Sequence, residues 1–123
     1  MKPRLIYIAG PYRAASPWQM ECNVRKAEEI GYAVAVLGAY PVIPHANTRP
    51  YFGDAQPAEF WLEGTLELMR RCDAVVMVEG WENSEGARAE KDEDERLGIP
   101  VFGAASGDGL RGLTIWLLAR GEA

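Results

Sequence analysis

Asp73-Ala74-Val75-Val76-Met77-Val78-Glu79-Gly80-Trp81-Glu82-Asn83-Ser84-Glu85-Gly86-Ala87-Arg88-Ala89-Glu90 is the stretch from which the fold can be read. Its first half is a short apolar run rich in β-branched residues and stopped by Gly80, the pattern of a strand buried on both faces in a parallel sheet. Ser84 then offers a hydroxyl to the free N–H groups of a following helix. That helix is expected over Ser84–Leu97, with Gly98 as its C′ residue. A buried strand feeding a capped helix through a short loop is half of a βαβ unit.

The same alternation extends outward in both directions. Leu5-Ile6-Tyr7-Ile8-Ala9, closed by Gly10-Pro11, is a second buried strand. After a polar loop from Tyr12 to Trp18, Val24, Ala27, Ile30, Ala33 and Val36 repeat at helical spacing, predicting a helix over Asn23–Leu37 that Gly38 ends. Tyr40 to Pro44 is a short strand with proline near its ends, where lost ladder bonds matter least. His45 to Pro57, rich in Asn, Pro, Gly and Asp, is the longest irregular segment, and such loops are usually functional. Pro57 and Ala58 suit a helix start, and Phe60, Leu62, Leu66 and Met69 keep helical phase as far as Arg71. Pro100-Val101-Phe102 reads as a fourth strand and Leu110–Ala119 as a closing helix.

The order β-α-β-α-β-α-β-α implies an α/β fold: a parallel sheet with helices on both faces, in one domain spanning residues 1–123. Ligands of such sheets bind beyond the carboxyl ends of the strands. Those ends are Gly10 to Arg13, Pro44 to His45, and Gly80 to Gly86.

Composition narrows the function classes. A formal net charge of −5 and a pI near 4.9 exclude a protein that wraps a nucleic-acid polymer, which needs a basic face. A small phosphate is still compatible with that balance, because one cation and one helix N-terminus suffice to hold it. Two cysteines, Cys22 and Cys72, make no disulfide scaffold, and a single histidine makes a His/Cys zinc site implausible. No metal or redox cofactor is expected. The run Leu5–Ala9 is too short for a signal peptide or a membrane span, so a cytosolic protein is expected.

Ser84 places a hydroxyl and free amides at the positive end of a helix dipole, which makes an anion site. Gly86 and Glu90 lie four residues apart and share a helical face, with the glycine leaving room for a ligand to approach the Glu90 carboxylate. The spacing alone equally describes a capped surface helix with solvated glutamates. After the first strand, Gly10 permits close approach of the backbone to a ligand, and Arg13 can grip a phosphate through a forked pair of hydrogen bonds. There is no G-x-G-x-x-G dinucleotide fingerprint. Tyr7 is of a kind more often core than catalytic, although a phenol near a strand end can orient a carboxylate. His45, just past a strand end, suits acid–base chemistry at neutral pH, and a merely incidental loop histidine fits as well. Among Trp18, Phe52, Phe60, Trp61 and Trp81, most belong to the core and one or two can stack on a base.

Taken together, Gly10-Pro11, Pro44-His45, Cys72 to Val76, Gly80-Trp81, Ser84-x-Gly86-Ala87 and Glu90 resemble the nucleoside 2-deoxyribosyltransferase-like superfamily, in particular its small DUF4406-type branch. The resemblance runs from Leu5 to Phe102. It implies a Rossmann-like, flavodoxin-type three-layer sandwich that acts on N-glycosidic bonds without a cofactor. Glu90 matches the superfamily's nucleophile and Tyr7 the tyrosine that positions it, in keeping with the one carboxylate nucleophile of retaining glycoside cleavage. Ser84 resembles the serine of the 2′-deoxynucleoside 5′-monophosphate N-hydrolases rather than the aspartate of the transferases. With Arg13, that favours a nucleotide substrate over a nucleoside and hydrolysis over base exchange.

Two positions depart from the pattern. The acid that assists the leaving base falls on Thr65, and Glu63, Glu67 or His45 stand as substitutes. Asp94 falls where the superfamily carries a small apolar residue against the sheet. The resemblance also implies a homo-oligomer, most simply a dimer, packed through the apolar face of Phe60 to Met69.

Overall fold

The structure, a computed structural model, describes residues 2–48, 51, 54–104 and 110–119. Four strands, β1 (Leu5–Ala9), β2 (Tyr40–Val42), β3 (Ala74–Val78) and β4 (Val101–Ala104), form a parallel sheet in the order β2-β1-β3-β4. Among the described residues, five α-helices connect and cover them: α1 (Pro17–Val36), α2 (Pro44–Thr48), α3 (Ala58–Arg70), α4 (Glu85–Leu97) and α5 (Arg111–Ala119). A 3₁₀ turn, Trp81–Asn83, leads from β3 into α4.

The two-residue period of the strands divides the core. Ile6, Ile8, Ala74, Val76 and Val78 point to one face and pack with Ala27 and Val34 of α1 and Leu113 and Leu117 of α5. Tyr7, Ala9, Val75 and Met77 point to the other, against Met69 of α3 and Ala87 of α4. β3 is buried along its whole length, as its unbroken apolar run requires. The result is the parallel sheet with helices on both faces expected from the element order, in the flavodoxin-type three-layer form that the resemblance implied.

Three boundaries differ from the sequence expectation. α1 begins at Pro17 rather than Asn23, because the Ser16 hydroxyl accepts the Gln19 amide at 3.1 Å and proline fits the first helical turn. Pro44 and His45 lie in α2, so β2 stops at Val42 and the segment after it opens with a helical turn. β4 runs on to Ala104. Pro41 sits mid-strand opposite Ile6 and is tolerated because β2 is an edge strand. Arg49, Pro50, Phe52 and Gly53, within the expected irregular segment, lie outside the described residues.

Candidate functional site

The strand order reverses direction between β1 and β3, which makes the crevice beyond their carboxyl ends the topological switch point. Gly10 closes β1 there. A Cβ on Gly10 would stand 2.7 Å from Cβ of Val78, so the glycine is demanded by the packing of β1 on β3. The expectation that Gly10 serves ligand approach thus acquires a structural competitor. Gly80, at φ +96°, turns the chain after β3, and a Cβ there would lie 3.9 Å from the Pro11 ring. The loops after β1 and β3 therefore meet.

Tyr7 is fully buried on the α4 side of β1, and its hydroxyl donates a short hydrogen bond to Oε2 of Glu90. Burial pushes the Glu90 carboxyl up to about 7, against the Tyr7 hydrogen bond, which pulls it down. Burial first, then the charge and hydrogen bonding of Glu90, hold the Tyr7 phenol well above its usual range. The pair is thus a phenol that keeps its proton and a carboxylate poised to ionise near neutrality, the tuning expected of acid–base and nucleophilic sites.

One turn before Glu90, Gly86 is exposed and a Cβ on it would touch nothing within 4 Å, so that side of α4 is open. Ser84 caps the helix, its Oγ accepting from the Ala87 amide at 3.2 Å. The amides of Glu85 and Gly86 stand in the first turn, where a helix supplies no partner of its own. Arg13 is exposed and forms no ion pair with a described residue.

His45 is 5% exposed, and its Nε2 lies 3.1 Å from the carbonyls of both Gly10 and Pro11. Since carbonyls only accept, Nε2 carries the proton and donates to both. Burial lowers the imidazole pKa, against the two backbone bonds that raise it, so His45 is neutral at physiological pH. It ties the β1 loop down rather than presenting an acid. Asn23 does the same from α1, its Nδ2 donating to the Tyr12 carbonyl at 3.1 Å. The sequence marked Asn23 only as a helical residue, and nothing local announces its long-range partner.

The substitutes for the acid fare no better. Glu67 is held by Arg71 and Arg70, which keep its carboxyl below the usual range. Glu63 is exposed. Thr65 turns its hydroxyl back onto the Trp61 carbonyl at 2.8 Å. Thr65 does line a cleft of about 320 Å³ between α2 and α3, together with Pro44, Asn47, Thr48, Trp61 and Leu68. That volume is the size of a small-molecule site. Trp61 stacks on Tyr51 there, with centroids 5.5 Å apart. Neither Tyr7 nor Glu90 lines this cleft.

Asp94 departs furthest from the surface role of its neighbours. In a run of charged residues from Glu90 to Arg96 it alone is completely buried, with no described protein group donating to either carboxylate oxygen.

Fold and site together define a flavodoxin-like α/β protein with a buried phenol–carboxyl pair beside its switch point. Residues 4–103 match the family described as Domain of unknown function (DUF7768), and the chain belongs to that family. The match carries no information on the DUF4406-type branch suggested by the sequence. Among solved structures, the chain is similar to a 2-deoxyribosyltransferase from the psychrotolerant bacterium Bacillus psychrosaccharolyticus. The two are 25% identical with a TM-score of 0.60, over 80% of this chain and 70% of that one, which supports the superfamily resemblance. No curated protein matches. Among the described residues no helix is long and apolar enough to cross a membrane.

Proposed function

We propose that the chain cleaves the N-glycosidic bond of a nucleoside 5′-monophosphate or nucleoside, with Glu90 as nucleophile. The observation that carries this reading is the buried hydrogen bond from Tyr7 to Glu90, one turn from the open Gly86 face. The similarity to a 2-deoxyribosyltransferase, a protein that transfers a deoxyribosyl group, supports the same class of reaction.

In this mechanism an oxygen of Glu90 attacks C1′ of the sugar. The C1′–N bond breaks, and its electron pair leaves with the base. A glycosyl ester of Glu90 results. Water then attacks C1′, the ester C–O bond breaks, and the Glu90 carboxylate is regenerated as the water's second proton goes to solvent. Tyr7 holds the attacking carboxylate in place and stabilises its charge. Arg13, the Ser84 hydroxyl and the first-turn amides near Gly86 bind the phosphate, where the helix dipole favours an anion. His45 shapes the site by fixing the β1 loop.

With Thr65, Glu67 and His45 unsuited to protonating the base, the leaving group takes its proton from water. Bases that depart without a strong acid are then the preferred substrates. Thr65 also favours a second reading, a nucleotide-binding module without turnover.

Release of free base from ribo- and deoxyribonucleosides and their 5′-monophosphates, followed by chromatography for wild type and Glu90→Ala, tests both. Release by wild type and not by the variant is expected. Binding by calorimetry without release from any member would establish the binding module instead.

A further inference from the structure

Asp94 is a buried ionisable group for which the proposed reaction has no use. It lies on the inner face of α4, four residues after Glu90 and so one turn further from the mouth of the site. α4 packs there on β3 and β4. Asp94 has no exposed surface, and neither of its oxygens has a protein donor among the described residues.

The groups around it offer no compensation. On α4 itself these are Glu90, Glu93 and Glu95, all acidic. From β1 comes Tyr7, whose hydroxyl is committed to Glu90. From the turn before β3 comes Cys72, whose thiol donates to the Leu68 carbonyl at 3.4 Å. The nearby cations are engaged elsewhere: Arg70 of α3 and Arg96 both pair with Glu93, and Lys91 with Glu95. A buried carboxylate without cation or donor gives up its charge by taking a proton. Burial, and then Glu90, Glu93 and Glu95, push the Asp94 carboxyl up to about 7.

We propose that Asp94 latches α4 to the sheet only while it carries a proton. Neutral, its short side chain fills the layer between helix and strands like an apolar residue of the same size. Ionised, it gains a charge that nothing in that layer solvates, and the second half of α4 lifts to bring it to water. Glu90 rides on the preceding turn, so the lifting loosens its seat against Tyr7. Asp94 is thus a positioning residue for Glu90, acting through the helix and never touching the sugar. The two carboxyls titrate as a coupled pair. The first proton to leave is that of Glu90, because only Glu90 has a donor waiting for its charge.

The latch itself is independent of the glycosidic reading, whereas its effect on turnover rests on it. Hydrogen exchange of the α4 amides, corrected for intrinsic rates, is to be followed from pH 4 to 9 in the full chain, with α1 as internal reference. For wild type, α4 protection is expected to fall by up to about tenfold per pH unit as pH rises from the ordinary aspartate range to about 7, and to level above that, with α1 unchanged. In Asp94→Asn, and in Asp94→Ala should the asparagine fail to fold, the fall in α4 protection is shallower, because only the titration of Glu90 remains to drive it. Equal pH dependence in wild type and variant would overturn the proposal. So would a ¹³C titration of the wild-type side-chain carboxyls placing Asp94 in the ordinary aspartate range. If the exchange difference is present but no nucleotide or nucleoside is cleaved by wild type, the latch stands and the proposed function fails.

Discussion

Replacing Tyr7 by phenylalanine removes one hydroxyl from the core and leaves the ring, so its effect isolates the bond to Glu90. A hydrogen bond to an ionised group contributes about 1.5–3 kcal/mol, and a neutral pair about 1 kcal/mol. At about 1.4 kcal/mol per pKa unit, the difference raises the Glu90 carboxyl by about one unit above its wild-type position near 7. In wild type the folded-state value already exceeds the unfolded one. The stability associated with it is therefore full below the unfolded pKa and is lost as pH rises to about 7. In Tyr7→Phe that loss continues for about one further unit before it levels. In an Asp94→Asn background, where α4 stays seated, the variant should thus be destabilised by about 1 kcal/mol at pH 4 and by about 2–3 kcal/mol at pH 9. Urea unfolding followed by tryptophan fluorescence at the two pH values measures both numbers. A destabilisation equal at pH 4 and pH 9 would mean that Tyr7 does not stabilise the charge of Glu90, and the electrostatic argument for the pair would fall. If the chain cleaves nucleotides, the acid limb of its pH–rate profile should move upward by the same amount.

Two further outcomes are expected. Gly10→Ala forces a Cβ to within 2.7 Å of the Val78 Cβ and should cost about 1–3 kcal/mol in chemical unfolding, and less in a Val78→Gly background, which removes that Cβ. An equal cost in both backgrounds would show that the glycine is there for another reason. Phe60 and Leu62 are half-exposed on α3, at 52% and 51%, and a homodimer packed through that face should appear in light scattering at micromolar concentration. A monomer there removes the dimer expectation.

The parts of this fold that rest on local signals were open to reading. β3 is an unbroken apolar run because both its faces are covered, and Ser84 caps α4 because a helix leaves its first amides unpaired. The Ser16-Pro17 start of α1 was equally available in the sequence, and the apolar period beginning at Val24 masked it, since the first turns of α1 are largely exposed. The meeting of Tyr7 with Glu90 was suggested by resemblance, not by spacing. What could not be read was anything decided by a distant partner. Gly10 is set by Val78, and the Tyr12 carbonyl by Asn23. His45, whose position suggested acid–base chemistry, is committed to two backbone carbonyls. Asp94 shares its composition with every solvated neighbour on α4, and only the rotation of the helix against the sheet separates it from them.

The Tyr7–Glu90 contact joins residues 83 positions apart, on the first strand and the fourth helix. The pairing of β1 with β2 closes a much shorter loop than β1 with β3, and closure entropy grows with loop length. During synthesis β1, α1 and β2 can assemble while α4 is still inside the ribosome. The site is then among the last features to form, and a partly made chain holds an empty half of it. Quenching or exchange at Tyr7 would accordingly report completion of the fold, while α1 reports its beginning.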